Sequence, residues 1–175
     1  MAVINSYVSN ETYKMIVDNI DERLNHWASH YSLERALVHA IAGKESDKIF
    51  SAIRLEPHLK KTKWYLAALP DKHKKNDFAY CSMGVMQIMY ATAVSLGFTG
   101  EPFDLMLPDN SIHYGCKMLK NLWKKHKDID KVISSYNQGS PRTTINSKGK
   151  KVFKNQAYVD GVKKRYIELD GMLRN

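Results

Sequence analysis

The sequence is poor in cysteine and has no long apolar run. Its two cysteines, Cys81 and Cys116, form neither a Cys-x-x-Cys pair nor a disulfide framework, so we predict two buried, unreactive thiols. No stretch approaches the roughly 20 apolar residues of a membrane span, and no span is predicted. Residues 1–20 lack the basic cluster and the apolar run of a signal peptide. We therefore expect synthesis in the cytoplasm without a signal peptide.

Acidic residues are outnumbered by basic ones. The 175 residues include 18 Asp or Glu against 27 Lys or Arg, which gives a net charge of +9. Such a balance favours a polyanionic partner, whether nucleic acid, an anionic membrane surface or an acidic cell-wall polymer, and does not choose among them. The length and the 43% hydrophobic content fit one globular domain over residues 1–175, without repeats or linkers.

Apolar residues recur at helical spacing along most of the chain. The first predicted helix follows an Asn10 cap and turns Ile20, Leu24 and Trp27 inward, and the second runs from Ser32 to about Glu45. The third covers 85–96 and ends at Gly97, and the fourth follows Pro108 with Asp109 or Asn110 as its cap. The fifth runs from about Asp128 to Tyr136, and the last turns Tyr158, Val162, Tyr166 and Leu169 inward. Strand alternation is weak, although residues 53–55 or 143–152 can hold a short hairpin. The predicted fold is mainly α.

Two segments depart from this helical pattern. Residues 46–81 mix aromatic with charged side chains, and residues 138–153 are polar and basic. Both are predicted loops beside a functional site, because loops carry functional residues more often than cores do. The basic residues of 60–75 and 142–151 are expected to attract an anionic polymer.

Glu45 is the strongest candidate for chemistry. It follows the apolar turn of Ala40 and Ile41 at the predicted end of the second helix. Burial and the negative end of the helix dipole each raise the pKa of a carboxyl group. A carboxylic acid that stays protonated near neutral pH can donate a proton in glycoside cleavage. Lys44 opposes this effect if its ammonium group faces the site. Taken alone, Glu45 is more simply a solvated residue in a last helical turn.

Two later segments can supply a sugar-binding surface. Gln87 and Met89 are predicted in the third helix; an amide can bond sugar hydroxyl and N-acetyl groups, and Met can pack on sugar faces. Gly84 would let the backbone approach a ligand. Tyr136 can hydrogen-bond the acid, and Asn137 can hold substrate or end a helix. Each segment also has a purely structural interpretation. The first can be a stripe of core methionines with Gln87 on the surface, and the Tyr136-Asn137 pair can simply end a helix.

Taken in order, these segments resemble the soluble lytic transglycosylase domain of the goose-type-lysozyme-like superfamily, which cuts peptidoglycan. The motifs that carry the resemblance are Glu45-Ser46, Gly84-Val85-Met86-Gln87-Ile88-Met89, Pro108-Asp109-Asn110-Ser111-Ile112 and Tyr136-Asn137-Gln138-Gly139. The resemblance covers about residues 33–167. It implies a lysozyme-like, mainly α single domain with room for a small β-hairpin.

The resemblance also implies the chemistry. Glu45 would be the sole acid/base: it protonates the oxygen between N-acetylmuramic acid and N-acetylglucosamine, then deprotonates the muramyl 6-hydroxyl to close a 1,6-anhydro ring without water. The residues that would line the groove for the peptidoglycan glycan strand are Ser46, Gln87, Met89, Tyr136 and Asn137. The resemblance calls for no metal and no cofactor, and the enzyme is expected to be a monomer.

The chain departs from the family pattern at several positions. Arg54 lies where the family often has a serine, Val85 replaces the usual Leu, and Tyr90 replaces the usual Pro. The contact of the family serine therefore falls to Arg54 or to a loop residue. The stretch from Ala52 to Pro57 resembles phage versions of the domain. We therefore expect a phage endolysin or a virion-associated enzyme that reaches the cell wall after phage-type release.

A hydrolase on the same fold is the nearest alternative. It would need a second group to activate water, and the candidate carboxylates are Asp47, Glu56, Asp71 and Asp77.

A nucleic-acid-binding module is the alternative from another class. It would use the lysines for phosphate contacts, with Trp64 and Tyr65 for stacking. No helix-turn-helix, RRM or zinc-finger spacing is present, so no specific nucleic acid is expected. His26 and His30 lie four residues apart without a third ligand at a useful spacing, which argues against a metal site.

Overall fold

A computed structural model describes residues 19–173. Its helices are α1 (Ile20–His30), α2 (Arg35–Ser46), α3 (Lys63–Ala68), α4 (Tyr90–Ser95), α5 (Pro108–His126), α6 (Ile129–Gln138) and α7 (Gln156–Leu173). Its strands are β1 (Ile53–Leu55), β2 (Cys81–Met83), β3 (Ile88–Met89), β4 (Thr143–Ile145) and β5 (Lys151–Phe153). Short 3₁₀ turns cover Pro57–Lys61, Asp71–His73, Asp77–Tyr80 and Pro102–Met106. The predicted Asn10 cap lies outside the described residues.

One hydrophobic core lies among α1, α2, α5, α6 and α7, which we call the helical lobe. α2 is at its centre, with most side chains between positions 36 and 43 buried. α7 packs along α2, and a small residue permits their close approach: a Cβ added to Gly161 would lie 3.2 Å from Lys44 Cε. This packing brings Tyr158 of α7 next to Glu45 of α2.

A second core lies under a three-stranded antiparallel sheet, in what we call the sheet lobe, which spans most of residues 53–106. β2 is the central strand, and its Met83 lies opposite Ile53 in β1 and Ile88 in β3. Tyr65 of α3 is fully buried in this core, and its hydroxyl donates to a backbone carbonyl at 2.5 Å. The lobe is made of short elements, so long-range pairing rather than local helix formation defines its shape.

The predicted helix over 85–96 is wrong in its first half. The chain turns between Gly84 (φ +73°) and Gln87 (φ +46°), forms β3, and becomes helical only at α4. Val85 and Met86 are fully buried in this turn, where they insert into the core of the helical lobe. The apolar spacing belongs to a buried turn and a strand, and an α-helix cannot contain the two positive φ angles.

Gly84 allows close packing of protein on protein, not the approach of a ligand that its position suggested. A Cβ there would lie 2.6 Å from both Leu105 O and Ser111 Oγ. Ser111 is fully buried on α5, donates to Met83 O at 3.2 Å, and accepts from the Met86 N–H at 3.0 Å. The turn at Gly84 therefore packs so closely against α5 that a residue with a side chain would not fit at position 84.

Neither of the two caps predicted within the described residues is the residue that precedes its helix, whereas the predicted start near Asp128 is correct. Ser32 has a left-handed φ of +49° and does not cap α2, which begins three residues later. α5 begins earlier than predicted, so Asp109 lies in its first turn, where its carboxylate accepts from Trp27 Nε1 at 3.1 Å. α6 begins as predicted, with the Asp128 side chain accepting from the Lys131 N–H at 2.9 Å.

Residues 143–152 lie in a hairpin, as predicted, with Thr143 opposite Phe153 and Ile145 opposite Lys151. Residues 53–55 also form a strand, but they pair with β2 rather than forming a hairpin of their own. These elements confirm the predicted mainly α, lysozyme-like class with a small β component. Across residues 19–173, no helix combines the length and apolar character needed to cross a membrane.

Candidate active site

A cleft of about 820 Å³ is lined by residues from both lobes. The residues from the helical lobe and the loop after α6, here called the helical wall, are Glu45, Met118, Tyr136, Asn137, Gln138, Gly139, Ser140 and Arg142. The residues from the sheet lobe, here called the sheet wall, are Arg54, Glu56, His58, Leu59, Thr62, Trp64, Tyr65, Ser82, Gln87, Ile88, Met89 and Thr92. Parts of both predicted loop regions therefore reach the cleft, whereas residues 71–75 do not line it.

Glu45 lies in the last turn of α2, where the sequence predicts it. The helix ends at Ser46, and Asp47 takes a left-handed φ of +50°. The Ser46 hydroxyl donates to Val85 O at 2.8 Å, so it ties the end of α2 to the turn that joins the lobes. Ser46 therefore helps to fix the position of Glu45. It is not one of the described residues that line the cleft.

Tyr158 holds the Glu45 carboxyl group. Its hydroxyl donates to Glu45 Oε1 at 2.5 Å from the first turn of α7. Burial and the negative charge of Glu45 raise the pKa of Tyr158 well above its ordinary value, so the phenol keeps its proton and remains a donor. The sequence placed Tyr158 only in an apolar stripe. The signal for its role is that a buried tyrosine hydroxyl needs an acceptor.

Tyr136 does not make the hydrogen bond to the acid that the sequence suggested. Its hydroxyl instead donates to Met86 O at 2.9 Å, which braces the turn between the lobes. The residue is 7% exposed, and burial together with the nearby Glu45 charge raises the pKa of its hydroxyl well above the ordinary value. Tyr136 therefore lies beside the acid in the cleft and supports the wall to which the acid is attached.

Burial raises the pKa of Glu45 above its ordinary value. The hydrogen bond from Tyr158 and the positive charges of Arg54 and Lys44 lower the pKa and offset part of this effect. The carboxyl group is thus inclined to carry a proton, while a neutral hydroxyl is in place to stabilise its anion. A group that gives up a proton and takes one back needs both properties.

Gln87 faces the cleft from a turn and not from a helix. Its Nε2 donates to Ala52 O and to Gly84 O, both at 2.9 Å, and its Oε1 accepts from Ser82 Oγ at 3.0 Å. Both amide hydrogens are therefore used within the protein, and only the carbonyl oxygen has capacity left for a ligand. Met89 follows in β3, half-buried, with its side chain lining the cleft.

Asn137 is exposed at the end of α6, next to Tyr136. Its Oδ1 accepts from Asn155 Nδ2 at 3.0 Å. Asn155 also accepts from Ser134 Oγ at 2.8 Å, so the Asn137 side chain is held by a short polar chain that reaches into α6. The predicted groove residues Gln87, Met89, Tyr136 and Asn137 are therefore brought together around Glu45.

The sheet wall contributes a cluster of polar side chains from Arg54, Glu56 and His58, of which the sequence singled out the first two. Arg54 Nε donates to Glu56 Oε1 at 2.6 Å, and His58 Nδ1 lies 3.7 Å from Glu56 Oε2. Ser82 lies directly opposite Arg54 in the sheet and also lines the cleft. A hydroxyl is therefore present next to Arg54, the position at which the resemblance predicts a serine.

The four carboxylates considered for water activation lie in different places. Glu56 lines the cleft and is mostly buried, with 19% of its side chain exposed. The other three form exposed ion pairs outside it, and these are Asp47 with Arg165, Asp71 with Lys74, and Asp77 with Lys60. Only Glu56 of the four shares the cleft with Glu45.

Trp64 offers a flat apolar surface to the cleft. The residue is 63% exposed, and its ring meets the Tyr65 ring edge to face, with the ring centroids 5.4 Å apart. An exposed aromatic ring in a polar cleft can stack on the apolar face of a sugar. Its position in the mixed aromatic and charged segment 46–81 was the only sequence signal for this role.

The histidines do not gather into a metal centre. His26 and His30 pack against Trp27, with ring centroids 5.1 and 5.3 Å away. Within residues 19–173, no group of three or more His, Cys, Asp or Glu side chains is arranged to hold a metal ion.

A family comparison agrees with this geometry. A model of the Transglycosylase SLT domain matches residues 22–159, which include Glu45, Tyr136, Tyr158 and most of the two lobes. A search of curated proteins returns no match. Members of this family are peptidoglycan lytic transglycosylases, which are lyases that act on glycosidic bonds. The chain belongs to the transglycosylase SLT domain family and is a peptidoglycan lytic transglycosylase.

Proposed function

We propose that Glu45 is the sole acid/base and cleaves the β-1,4 bond between N-acetylmuramic acid and N-acetylglucosamine to leave a 1,6-anhydro end. The observation that carries this proposal is the half-buried Glu45 carboxyl group at the cleft, held by the Tyr158 hydroxyl at 2.5 Å. Burial favours its protonated form. The hydroxyl favours the anion that forms once the proton has left.

The reaction needs one proton donor that becomes the acceptor. Glu45 protonates the glycosidic oxygen, the bond from that oxygen to muramyl C1 breaks, and positive charge develops at C1. The Glu45 carboxylate then takes the proton of the muramyl 6-hydroxyl, and that oxygen bonds to C1. Tyr158 donates to the carboxylate between these two steps and stabilises it, while its own raised pKa prevents loss of the phenolic proton. No water enters, and Glu45 ends protonated.

The remaining site residues divide by what they contact. Met89 and Asn137 line the groove with side chains that can meet the sugar, and Trp64 adds a stacking surface. Gln87 contributes its carbonyl oxygen. The role of Ser46 and Tyr136 is to hold the walls, through their hydrogen bonds to Val85 O and Met86 O.

Analysis of the products tests this proposal. Purified peptidoglycan is digested to completion, and the glycan ends are identified by mass spectrometry. We expect 1,6-anhydromuramyl ends, made by wild type and by Glu56→Gln alike. Reducing muramyl ends, with an oxygen atom from isotopically labelled water, would overturn the single-acid mechanism.

A hydrolase is the second candidate, because Glu56 lies in the same cleft. It would need the Glu56 carboxylate to activate a water molecule. One of its oxygens already accepts a hydrogen bond from Arg54 Nε at 2.6 Å. The hydrolase predicts that Glu56→Gln abolishes turnover, whereas the lyase predicts that it does not.

We further propose that the chain works as a single monomeric domain of a phage lysis or virion enzyme, without specific binding to nucleic acid. The support is the resemblance of residues 52–57 to phage versions of the domain and the net charge of +9, which suits an anionic wall. Cytoplasmic expression in a bacterial host should cause lysis only when the inner membrane is permeabilised. Lysis without permeabilisation would contradict the release route.

A further inference from the structure

The β4–β5 hairpin carries charge of one sign only and adjoins the cleft. We define the basic hairpin as residues 142–154. Five of its 13 residues are cationic and none is acidic; the cations are Arg142, Lys148, Lys150, Lys151 and Lys154. All of these residues are exposed.

The basic hairpin differs from the lysine-rich part of the sheet lobe in how its charges are compensated. Three lysines of the sheet lobe have carboxylate partners: Lys60 with Asp77 at 2.6 Å, Lys72 with Glu101 at 2.9 Å, and Lys74 with Asp71 at 2.6 Å. Among residues 19–173, no carboxylate forms an ion pair with any cation of the basic hairpin. Its charge is available to an external anion.

The basic hairpin begins at the cleft. Arg142 lines the cleft, and its guanidinium donates to Gln138 O at 3.2 Å. The Lys154 N–H donates to Arg142 O at 2.9 Å and closes the base of the hairpin. A ligand in the cleft therefore lies at the foot of the hairpin.

The turn of the hairpin is ordered by one side chain. Asn146 Oδ1 accepts from the Lys148 and Lys150 N–H groups, each at 3.0 Å, and Gly149 takes the left-handed φ of +71° that closes the turn. The lysine side chains are thus presented from a fixed backbone. A fixed backbone lowers the entropy cost of binding.

We propose that the basic hairpin binds the carboxylates of the peptide stem on the glycan strand held in the cleft, so that stem-bearing peptidoglycan is the preferred substrate. This proposal rests on the proposed function, which places the glycan in the cleft. Each muramyl unit carries its stem on the sugar, and an uncrosslinked stem ends in a free carboxylate at the end remote from the sugar. A strand advances about 3.4 Å per residue, so the hairpin turn lies on the order of 15 Å beyond Arg142. A stem of a few residues spans a similar distance when extended, at about 3.5 Å per residue.

Carboxylates suit the hairpin better than a nucleic acid does. Binding of single strands relies on aromatic side chains on which bases stack. Phe153 is the only aromatic residue of the basic hairpin, and it packs against the core of the helical lobe. The exposed apolar residue at the hairpin is Ile145, which can contact the aliphatic part of a stem.

The test compares two triple variants with the same loss of charge. Lys148→Gln, Lys150→Gln and Lys151→Gln remove hairpin cations, and the control removes the paired cations Lys60, Lys72 and Lys74 in the same way. Each enzyme is assayed on soluble stem-bearing chains and on the same chains stripped of stems by an amidase. At low salt we expect the hairpin variant to raise KM on stem-bearing chains about 3- to 10-fold with kcat unchanged. KM on stripped chains should not change, and added salt should reduce the effect.

Other outcomes overturn the proposal. An equal rise in KM for the control variant would mean that net charge alone attracts the substrate. Equal losses on stripped and stem-bearing chains would make the hairpin part of the cleft wall. An unchanged KM on stem-bearing chains, with weaker DNA retention in a gel, would identify a nucleic acid as the ligand. In every case the products should keep their 1,6-anhydro ends, since a change in product chemistry bears on the proposed function and not on the hairpin.

Discussion

The two walls of the cleft are built in different ways. The helical wall carries Glu45 on α2, a helix packed on most sides, and Tyr158 on α7 bonds it directly. The sheet wall consists of short strands, short helices and 3₁₀ turns, and several of its cleft residues are exposed, Trp64 and Arg54 among them. From this comparison we propose that the closely packed helical wall performs the chemistry and that the sheet wall recognises the substrate.

The two cleft carboxylates show the same contrast. Glu45 is half-buried and held by a neutral hydroxyl, whereas Glu56 is paired with the guanidinium of Arg54 at 2.6 Å. Burial raises the pKa of Glu45, and its hydrogen-bond partner is a neutral donor that is compatible with a protonated carboxyl group. We therefore propose that proton donation belongs to the helical wall.

Glu45→Gln should have the largest effect. It removes the transferable proton, and general acid catalysis contributes about 10²- to 10⁴-fold, so release of fragments from purified peptidoglycan should fall by that amount or more. The matched substitution on the other wall, Glu56→Gln, should leave turnover within about threefold of wild type. The division of labour between the walls fails if Glu45→Gln keeps near wild-type activity or if the two variants lose activity equally.

The melting temperature of Glu45→Gln serves as the folding control for this variant, and the direction of its change can be predicted. Burial raises the folded-state pKa of Glu45 above its unfolded value. The wild type therefore has its full stability below the unfolded pKa and loses part of it as pH rises through the folded pKa. At neutral pH the variant should melt at or above the wild-type temperature. A lower Tm would mean that the lost activity reflects misfolding.

Tyr158→Phe should have the second largest effect. Loss of a hydrogen bond that stabilises the catalytic anion should lower kcat about 10- to 1,000-fold. The hydrogen bond lowers the pKa of Glu45, so the alkaline limb of the kcat/KM profile should move to higher pH. Tyr136→Phe is the comparison: it leaves Met86 O without its partner and should cost about 1–3 kcal/mol of stability with a smaller loss of rate. A reversed pattern would assign the positioning role to Tyr136.

Much of the helical wall could be predicted from the sequence, because its features depend on residues that are close together in the chain. Glu45 at a helix end, the start of α6 at Asp128, and the Tyr136-Asn137 pair each follow from spacing and capping within one element. Tyr158 was missed because its partner is 113 positions away. The Glu45 contact depends on how two helices pack, which spacing within α7 does not reveal.

The sheet wall was predicted poorly for a physical reason. Its elements are two to six residues long and depend on pairing between distant strands, such as Arg54 opposite Ser82. The apolar run from Val85 to Met89 fits helix and strand equally, and the deciding fact is the tight contact of Gly84 with Ser111. The sequence of the run itself gives no indication of that contact, because Ser111 lies far along the chain.

Trp64→Ala tests recognition by the sheet wall and should have a moderate effect. Loss of a stacking surface should raise KM about 3- to 10-fold with kcat nearly unchanged. Trp64 is 63% exposed, so melting temperature should hardly change. A fall in kcat at constant KM would place the ring in the chemistry of the helical wall.

Arg54→Gln should have the smallest effect. It tests the electrostatic interaction between Arg54 on the sheet wall and Glu45 on the helical wall. The positive charge of Arg54 lowers the pKa of Glu45, so its removal should raise that pKa and move the alkaline limb of the kcat/KM profile to higher pH. The shift should shrink as ionic strength rises, because Arg54 is exposed and salt screens its charge. An unchanged profile at low salt would show that the walls are electrostatically independent.

The two buried cysteines make the enzyme convenient for site-specific fluorescent labelling. Cys116 is fully buried, and burial raises the pKa of its thiol to about 12. Burial and the nearby carboxylates of Asp77 and Glu56 raise the pKa of Cys81 as well. Alkylating dyes attack the thiolate, so neither native thiol should react at neutral pH. A single Lys148→Cys substitution should therefore accept one dye at the hairpin turn, and its emission can report contact with the wall while both native cysteines remain in place.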